Sequence, residues 1–296
     1  MSPYILRSML FVPGHNERLL RSAAGTQADA VILDMEDSVT PDANKIIARS
    51  LCGRLIVEGL FAGKRVFVRL NDVDSEFLSD EVRAFSPLPV DGFVFPKVFN
   101  EKDIYFIDHL LHVAETENRL DDNRLKLVPI IETCGALVNL DAICRASGRI
   151  IAVAFGCEDF VADLRGVHDP QAQSLFYPRA QIAVTARYHG IIPIDSVHVD
   201  VHNMQDLEYN LGIARNLGFE GMLLLHPKEI EPAHRYFSPS QTEYENALEV
   251  VRLTGLAREQ EKGVAIMNGR FIGPPMLRAA RNVIRRYEDI RHKTTV

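Results

Sequence analysis

The stretch AVAFGCEDFVADL, residues 152–164, opens as an almost unbroken apolar run and stops at a glycine, a cysteine and two adjacent carboxylates, Glu158 and Asp159. A short run without polar alternation reads as a strand buried on both faces, the kind found where helices cover a parallel sheet. Two carboxylates at the end of such a strand are costly to bury unpaired, so solvent or a cation has to meet them there.

The same kind of run recurs along the chain: SMLFVPG (8–14), AVILDMED (30–37), RVFVRLN (65–71), GFVFPKV (92–98), KLVPIIET (126–133), IIAVAFGCED (150–159), IPIDSVHVD (192–200) and GMLLLHP (221–227). Segments long enough for a helix separate them; in the first of the long ones Thr40 or Asp42 is placed to cap the helix that follows. Eight strand–helix units match a (β/α)8 barrel in count and length. An open doubly wound sheet is the competing architecture, but no GxGxxG follows the first strand. The barrel is therefore expected over residues 1–235. Residues 236–296 change rhythm, predicting a long exposed helix, a short hairpin and a basic final helix: a C-terminal extension or lid too small for its own core.

Composition narrows the partners. The chain has 296 residues, 47% apolar and 25% charged, with a net charge of −7 and no basic stripe, which argues against nucleic acid and anionic membrane surfaces. No run is long enough to span a bilayer, and the N-terminus does not read as a secretory signal. Cys52, Cys134, Cys144 and Cys157 form no CxxC pair, so reduced thiols in a cytoplasmic protein are expected.

In a barrel, side chains at the carboxyl ends of the strands converge on one mouth. Those ends carry His15, Asp34, Glu36, Asp37, Arg69, Asn71, Lys97, Glu132, Glu158, Asp159, Asp195, Asp200 and His226. Glu132 and Asp159 end consecutive runs, and Mg2+ takes one or two protein carboxylates while keeping its other positions for water and substrate oxygens. The alternative is that each carboxylate caps the following helix. Arg69 offers a planar fork to a substrate carboxylate or, equally, a salt bridge to Asp34, Glu36 or Asp37. That acidic triplet fits best as a set of partners for Arg69 and Lys97.

Other patterns point to chemistry more weakly. His198, Asp200 and His202 alternate as zinc ligands would, although Asp200–Asn203 also reads as a helix start. GLFAGKR (59–65) lacks the Ser or Thr of a phosphate loop and precedes a strand, so it reads as a helix end and turn. Cys157 has no base beside it, and His15 and His226 fit surface or hydrogen-bonded roles.

Taken together, RSMLFVPGHNERLL, ADAVILDMEDSV, VFVRLN, GFVFPKV, VPIIET, GCEDFVADL, YPRAQIAVTAR and GFEGMLLLHPKEI resemble, in order and spacing over residues 7–232, the citrate lyase β-subunit-like proteins of the HpcH/HpaI aldolase group. The resemblance implies a TIM barrel, Mg2+, and cleavage or formation of a carbon–carbon bond in a 3-hydroxyacyl thioester or related oxo acid. It implies Glu132 and Asp159 as metal ligands, Arg69 as the holder of the substrate carboxylate, and Asp34 and Lys97 as support; Arg69, Glu36 and Asp37 make up the catalytic set. Phe11 and Arg18 fall where relatives hold the coenzyme A arm. It also implies a homo-oligomer, a trimer or a multiple of one.

The tail departs from that pattern. Relatives that use coenzyme A carry a GxMIDxP-like turn whose aspartate is the base; here the stretch is NGRFIGPP, with Gly273 at that place, and Met222 stands where many relatives have lysine. The leading expectation is a Mg2+-dependent carbon–carbon lyase acting on a citryl, malyl or citramalyl thioester or related acid. An aldolase of free oxo acids that never uses coenzyme A, and a non-catalytic homologue that binds an oxo acid or acyl-carrier protein, are the alternatives.

Overall fold

A strand in a closed parallel sheet meets protein on both faces, which is why these runs carry apolar residues without alternation. The computed structural model describes residues 4–168, 173–259, 265–267 and 269–295. The strands are β1 (Ser8–Pro13), β2 (Ala30–Asp34), β3 (Arg65–Arg69), β4 (Gly92–Phe95), β5 (Lys126–Ile131), β6 (Ala152–Phe155), β7 (Ile192–Asp195) and β8 (Gly221–Leu224). Each pairs in parallel with the next and β8 pairs with β1, closing a (β/α)8 barrel.

The helices between them are α1 (Glu17–Ala24), α2 (Ala43–Val57), α3 (Leu78–Phe85), α4 (Glu101–Glu117), α5 (Cys134–Val138), α6 (Leu140–Arg145), α7 (Cys157–Leu164), α8 (Gln173–His189) and α9 (Met204–Leu217). A 3-10 turn (Pro227–Glu229) and α10 (Ile230–Phe237) follow β8. Two inter-strand segments hold a pair of helices where one was expected, after β5 and after β6. Helices of five to eight residues are too short to show a 3.6-residue period. The α2 start carries no side-chain cap from Thr40 or Asp42; Asp42 sits at the cap position with helical dihedrals and makes no capping bond. The run at 192–200 leaves the sheet after Asp195, so Asp200 and His202 are not strand residues.

The barrel interior is a dry column of Ala30, Ile32, Phe67, Val94, Val128, Ile130, Ala152, Ala154, Ile192, Ile194 and Leu223, with Phe11 packed against it. Burying each Val, Leu, Ile or Phe of this column stabilises by about 1.5–3 kcal/mol. Inward residues recur every second position, so one more step along β2, β3, β5, β6 and β7 brings Asp34, Arg69, Glu132, Gly156 and Ser196 to the carboxyl rim. The column is apolar below and charged only in that last layer.

By its contacts the chain divides into two compact units, Met1–Ala233 and His234–Val296. In the second, α11 (Gln241–Glu259) packs with α12 (Pro274–Thr295), and β9 (Ala265–Met267) pairs antiparallel with β10 (Arg270–Ile272). Contrary to the expectation of an extension without its own core, this unit has a small one of Ala247, Val250, Ala265, Ile272 and Ala280, and Tyr244 stacks on Tyr287 at 4.2 Å between ring centroids. Gly273 stands between β10 and α12, where an added Cβ would come no nearer than 3.6 Å to Pro275. No described helix is long and apolar enough to cross a membrane.

Candidate active site

The register between β2 and β3 sets Asp34 beside Arg69, and the two side chains meet at the rim. Arg69 Nε and Nη2 each donate to Asp34 at 2.7 Å, while Nη1 lies 2.9 Å from Glu36 and 3.4 Å from Asp37. The guanidinium also sits over the Phe11 ring, 4.7 Å from its centroid, a cation–π contact from inside the barrel. The fork open to a substrate carboxylate in the sequence reading is thus filled by Asp34. Burial alone would raise the Asp34 carboxyl, but the Arg69 charge, the Ser38 hydroxyl at 2.5 Å and the Glu36 N–H hold it below its usual range. Burial likewise opposes the Arg69 charge, and its acidic neighbours more than offset it, raising its pKa.

Glu36 is 4% exposed, and its oxygens lie 2.9 Å from Arg69 Nη1 and 2.7 Å from Lys97 Nζ. These are ion pairs by distance, yet neither buried oxygen receives a hydrogen bond of good direction. Burial pushes the Glu36 carboxyl up to about 7 despite both cations, with Asp37 adding to the rise. Lys97 keeps its proton more firmly than usual; burial works against its charge, but Glu36, Asp37 and Asp72 outweigh that.

Glu132 completes the acidic group. It is 4% exposed, and Oε1 accepts the Lys97 backbone N–H at 2.5 Å. Burial is the main reason its carboxyl is pushed up to about 8, and the negative charges of Glu36 and Asp159 push in the same direction. The long reach of Asp159 to Glu132 has a different origin from the one expected. Asp159 and Glu158 do not end β6; they occupy the first turn of α7, exposed, with Glu158 3.3 Å from His168. The helix-start reading holds for Asp159, which stands in the first turn of α7, but not for Glu132, since Thr133 caps α5; the Asp159 charge still reaches Glu132.

Gly156 makes room for this arrangement. A Cβ added there would fall 2.5 Å from Glu132 Oε2 and 2.6 Å from Glu132 Cβ, and Gly156 itself has φ −109°, so the demand is for space, not conformation. The Gly156→Ala protein is expected to displace the Glu132 carboxylate and weaken divalent-ion binding about 10- to 100-fold. Calorimetric titration with Mg2+ checks this; affinity equal to wild type would show that Glu132 has another place to go.

The residues fit a hard divalent cation. The candidate donors are all carboxylate oxygens, as Mg2+ prefers, the buried Glu36 oxygens lack directed donors, and the charges of Glu36 and Asp159 both reach the buried Glu132. Phe11 lies under Arg69, and Arg18 is exposed on α1.

The other sequence candidates separate. His198 is 7% exposed and spends its ring on the Asn203 carbonyl at 3.2 Å and Asp206 at 3.4 Å, while Asn203, not Asp200, caps α9. Asp200 and His202 do not join it as ligands; among the described residues, the group of three with ligand atoms close together is His112, Glu115 and Asp122. There the buried Glu115 already accepts from Asn123, Leu125 and Arg149. Cys157 is buried, with its thiol pushed up to about 12 by burial, unsuited to nucleophilic work. His226 caps the 3-10 turn, accepting from the Lys228 N–H. GLFAGKR is indeed a helix end and turn, with Gly59 and Gly63 at φ 78° and 81°.

Sequence reasoning missed the steric role of Gly156, the Ser38 bond to Asp34, and the Lys97 backbone contact. The glycine had a signal, since it falls beside Glu132 when β5 and β6 are aligned; the other two had none.

Residues 7–227 match the HpcH/HpaI aldolase/citrate lyase family. The chain belongs to that family. Membership makes it an enzyme of the citrate lyase β-subunit type. The citrate lyase subunit beta of Haemophilus influenzae is 30% identical over 280 residues, covering 95% of this chain and 96% of the relative. A (3S)-malyl-CoA thioesterase of Cereibacter sphaeroides is 30% identical over 285 residues, covering 96% and 95%. The protein CitE from Mycobacterium tuberculosis, in complex with magnesium, acetoacetate and coenzyme A, aligns with a TM-score of 0.75 at 24% identity over 95% of this family member and 97% of that chain.

Proposed function

We propose that this protein is a Mg2+-dependent carbon–carbon lyase of the retro-Claisen or retro-aldol type, acting on a carboxylated 3-hydroxyacyl thioester of the citryl, malyl or citramalyl class or on a related acid. The observation that carries the reading is the buried Glu132 carboxyl at the rim, 4% exposed and pushed up to about 8 by burial first and then by the negative charges of Glu36 and Asp159. A site that disfavours its own charge in this way is completed by a cation.

Glu132 and Asp159 would hold the ion, and Mg2+ there would supply Lewis-acid polarisation of the oxo-acid carbonyl. The chain's own groups do the rest. Arg69, fixed by Asp34 and Phe11, presents its Nη1 side to the substrate carboxylate, sharing that side with Glu36 at 2.9 Å and the exposed Asp37 at 3.4 Å. Glu36, whose carboxyl titrates at about 7, takes the proton of the 3-hydroxyl as the carbon–carbon bond breaks. The electron pair of that bond passes to the thioester enolate, and the hydroxyl carbon becomes the carbonyl of the oxo acid. The exposed Arg18 is available to the phosphates of a coenzyme A arm, and a homo-oligomer is part of the same proposal.

Aldol cleavage of free hydroxy acids is the second reading, favoured by Gly273, which offers no side chain to accept a proton. A panel of malyl, citramalyl and citryl thioesters against the corresponding free acids, each with and without Mg2+, decides. Turnover of a thioester that vanishes on chelation is expected; turnover of free acids alone replaces the leading reading with the second.

A further inference from the structure

One residue touches both halves of the acidic rim. The N–H of Lys97 donates to Glu132 Oε1 at 2.5 Å, and its Nζ lies 2.7 Å from Glu36 Oε1 and 3.6 Å from Asp37. Its backbone has φ 52°, in the left-handed region that costs a residue with a Cβ roughly 1–2 kcal/mol. The preceding strand, β4, ends at Phe95, and Pro96 and Val98 on either side of Lys97 are buried, so the loop is held at both edges of the reversed residue. The N–H, set by the peptide plane shared with Pro96, points across to β5, and the left-handed φ turns the Cα–Cβ bond so that the side chain leaves toward the loop after β2, two strands away in the opposite direction around the barrel. With the N–H so placed, an extended or helical φ would send the side chain and the following Val98 elsewhere. Backbone strain of this kind persists where surrounding contacts over-determine it, and functional sites are where it concentrates.

We propose that Lys97 is a positioning residue that ties the ion-holding carboxylate Glu132 to the proton-accepting carboxylate Glu36, by backbone and side chain respectively, and that its left-handed conformation is what allows one residue to do both. The inference rests on the lyase reading for its kinetic consequences but not for its structural ones. It assigns the two bonds separate duties: the N–H orients Glu132, and the ammonium orients Glu36.

Three substitutions separate them. Lys97→Met removes the ammonium and tolerates the left-handed backbone as lysine does; Lys97→Gly removes it and relaxes the backbone; Lys97→Val removes it and disfavours that backbone strongly, because β-branched residues are true outliers at positive φ. In the full-length protein, Mg2+ affinity by calorimetry is expected to stay within about threefold of wild type for Met and Gly and to fall about 10- to 100-fold for Val. On the thioester the wild type turns over, Met and Gly are expected to lower kcat about 10- to 100-fold with KM nearly unchanged. In the metal-free protein the Lys97 amide should exchange slowly with solvent in wild type, Met and Gly, and fast in Val and in Glu132→Ala. Equal Mg2+ affinity across the three variants, or an amide whose exchange ignores Glu132→Ala, overturns the backbone half; wild-type kcat in Met and Gly overturns the side-chain half. A wild type that binds no Mg2+ and cleaves no thioester sinks the lyase reading, and the amide-exchange comparison then still decides whether Lys97 holds Glu132.

Discussion

The Arg69→Gln protein is expected to lose about 3–5 kcal/mol of folding stability at neutral pH, the cost of breaking a buried ion pair from one side. Asp34 is 1% exposed and Glu36 4%, and Arg69 is the cation that both share. Without it, Asp34 keeps the Ser38 hydroxyl and the N–H groups of Glu36 and Ser38, and Glu36 keeps Lys97. Arg69→Lys restores a charge but not the fork that meets both Asp34 oxygens at 2.7 Å, so it should fall between the two. The acid limb gives an independent check with a definite sign. The Asp34 carboxyl is held below its usual 3.8, so its contribution is present above that value and is lost as pH falls through the lower, folded-state value. The gap between wild type and Arg69→Gln should therefore narrow on acidification below about pH 4. Urea titrations at several pH values measure it, and a double variant carrying Asp34→Asn should recover part of the loss. A deficit under about 1 kcal/mol at pH 7 would mean that the pair is solvated, as surface ion pairs are.

How much of this was legible in the sequence depends on the physics of each residue. The barrel was readable because each strand is buried on both faces and so writes an apolar run, and because eight such runs alternate with helical lengths. Asp34, Arg69 and Glu132 were readable for the same reason: each continues an inward-facing period by one step beyond an apolar column, where a charged residue stands out. Asp159 was found at the right rim on the wrong element. The chain turns from β6 into α7 at Gly156, which has no capping side chain; the Cys157 N–H is met instead by Ser196 from beyond β7, 39 residues along the chain. A cap supplied from another strand leaves no local signature. The hidden end of β7 is similar: Ile192 to Asp200 keeps alternating in sequence, but Asp195 is drawn into a buried pair with Arg179 of α8, at 2.5 and 3.0 Å, and the chain leaves the sheet there. Lys97 is the clearest case of an illegible feature. Left-handed backbone is announced by glycine or asparagine, and a lysine that adopts it because its neighbours are pinned says nothing of this in its own letter.

The metal-free protein is expected to lose stability as pH rises, in the range where most proteins are near their best. The folded Glu132 carboxyl titrates at about 8 against an ordinary 4.5, and Glu36 at about 7. Between those values the folded chain binds more protons than the unfolded one, so the slope of unfolding free energy with pH is negative. The penalty is absent below pH 4.5 and complete above about 8, on the order of 5 kcal/mol for Glu132. The two carboxyls face each other's charge, so they titrate as a pair and their separate penalties are not additive. Mg2+ held at Glu132 as proposed would reverse the sign of the effect by binding the ionised form: at a hundredfold excess over its dissociation constant it should add about 2.7 kcal/mol, and more of that at pH 8 than at pH 5. Thermal unfolding between pH 5 and 8, with Mg2+ and with a chelator, should show two curves that diverge as pH rises. In Glu132→Gln the amide is never charged, so the metal-free slope should flatten and the Mg2+ increment should disappear at every pH. Curves that stay parallel in wild type would show that Glu132 is already ionised in the absence of metal, and the cation would lose its main physical warrant at this rim.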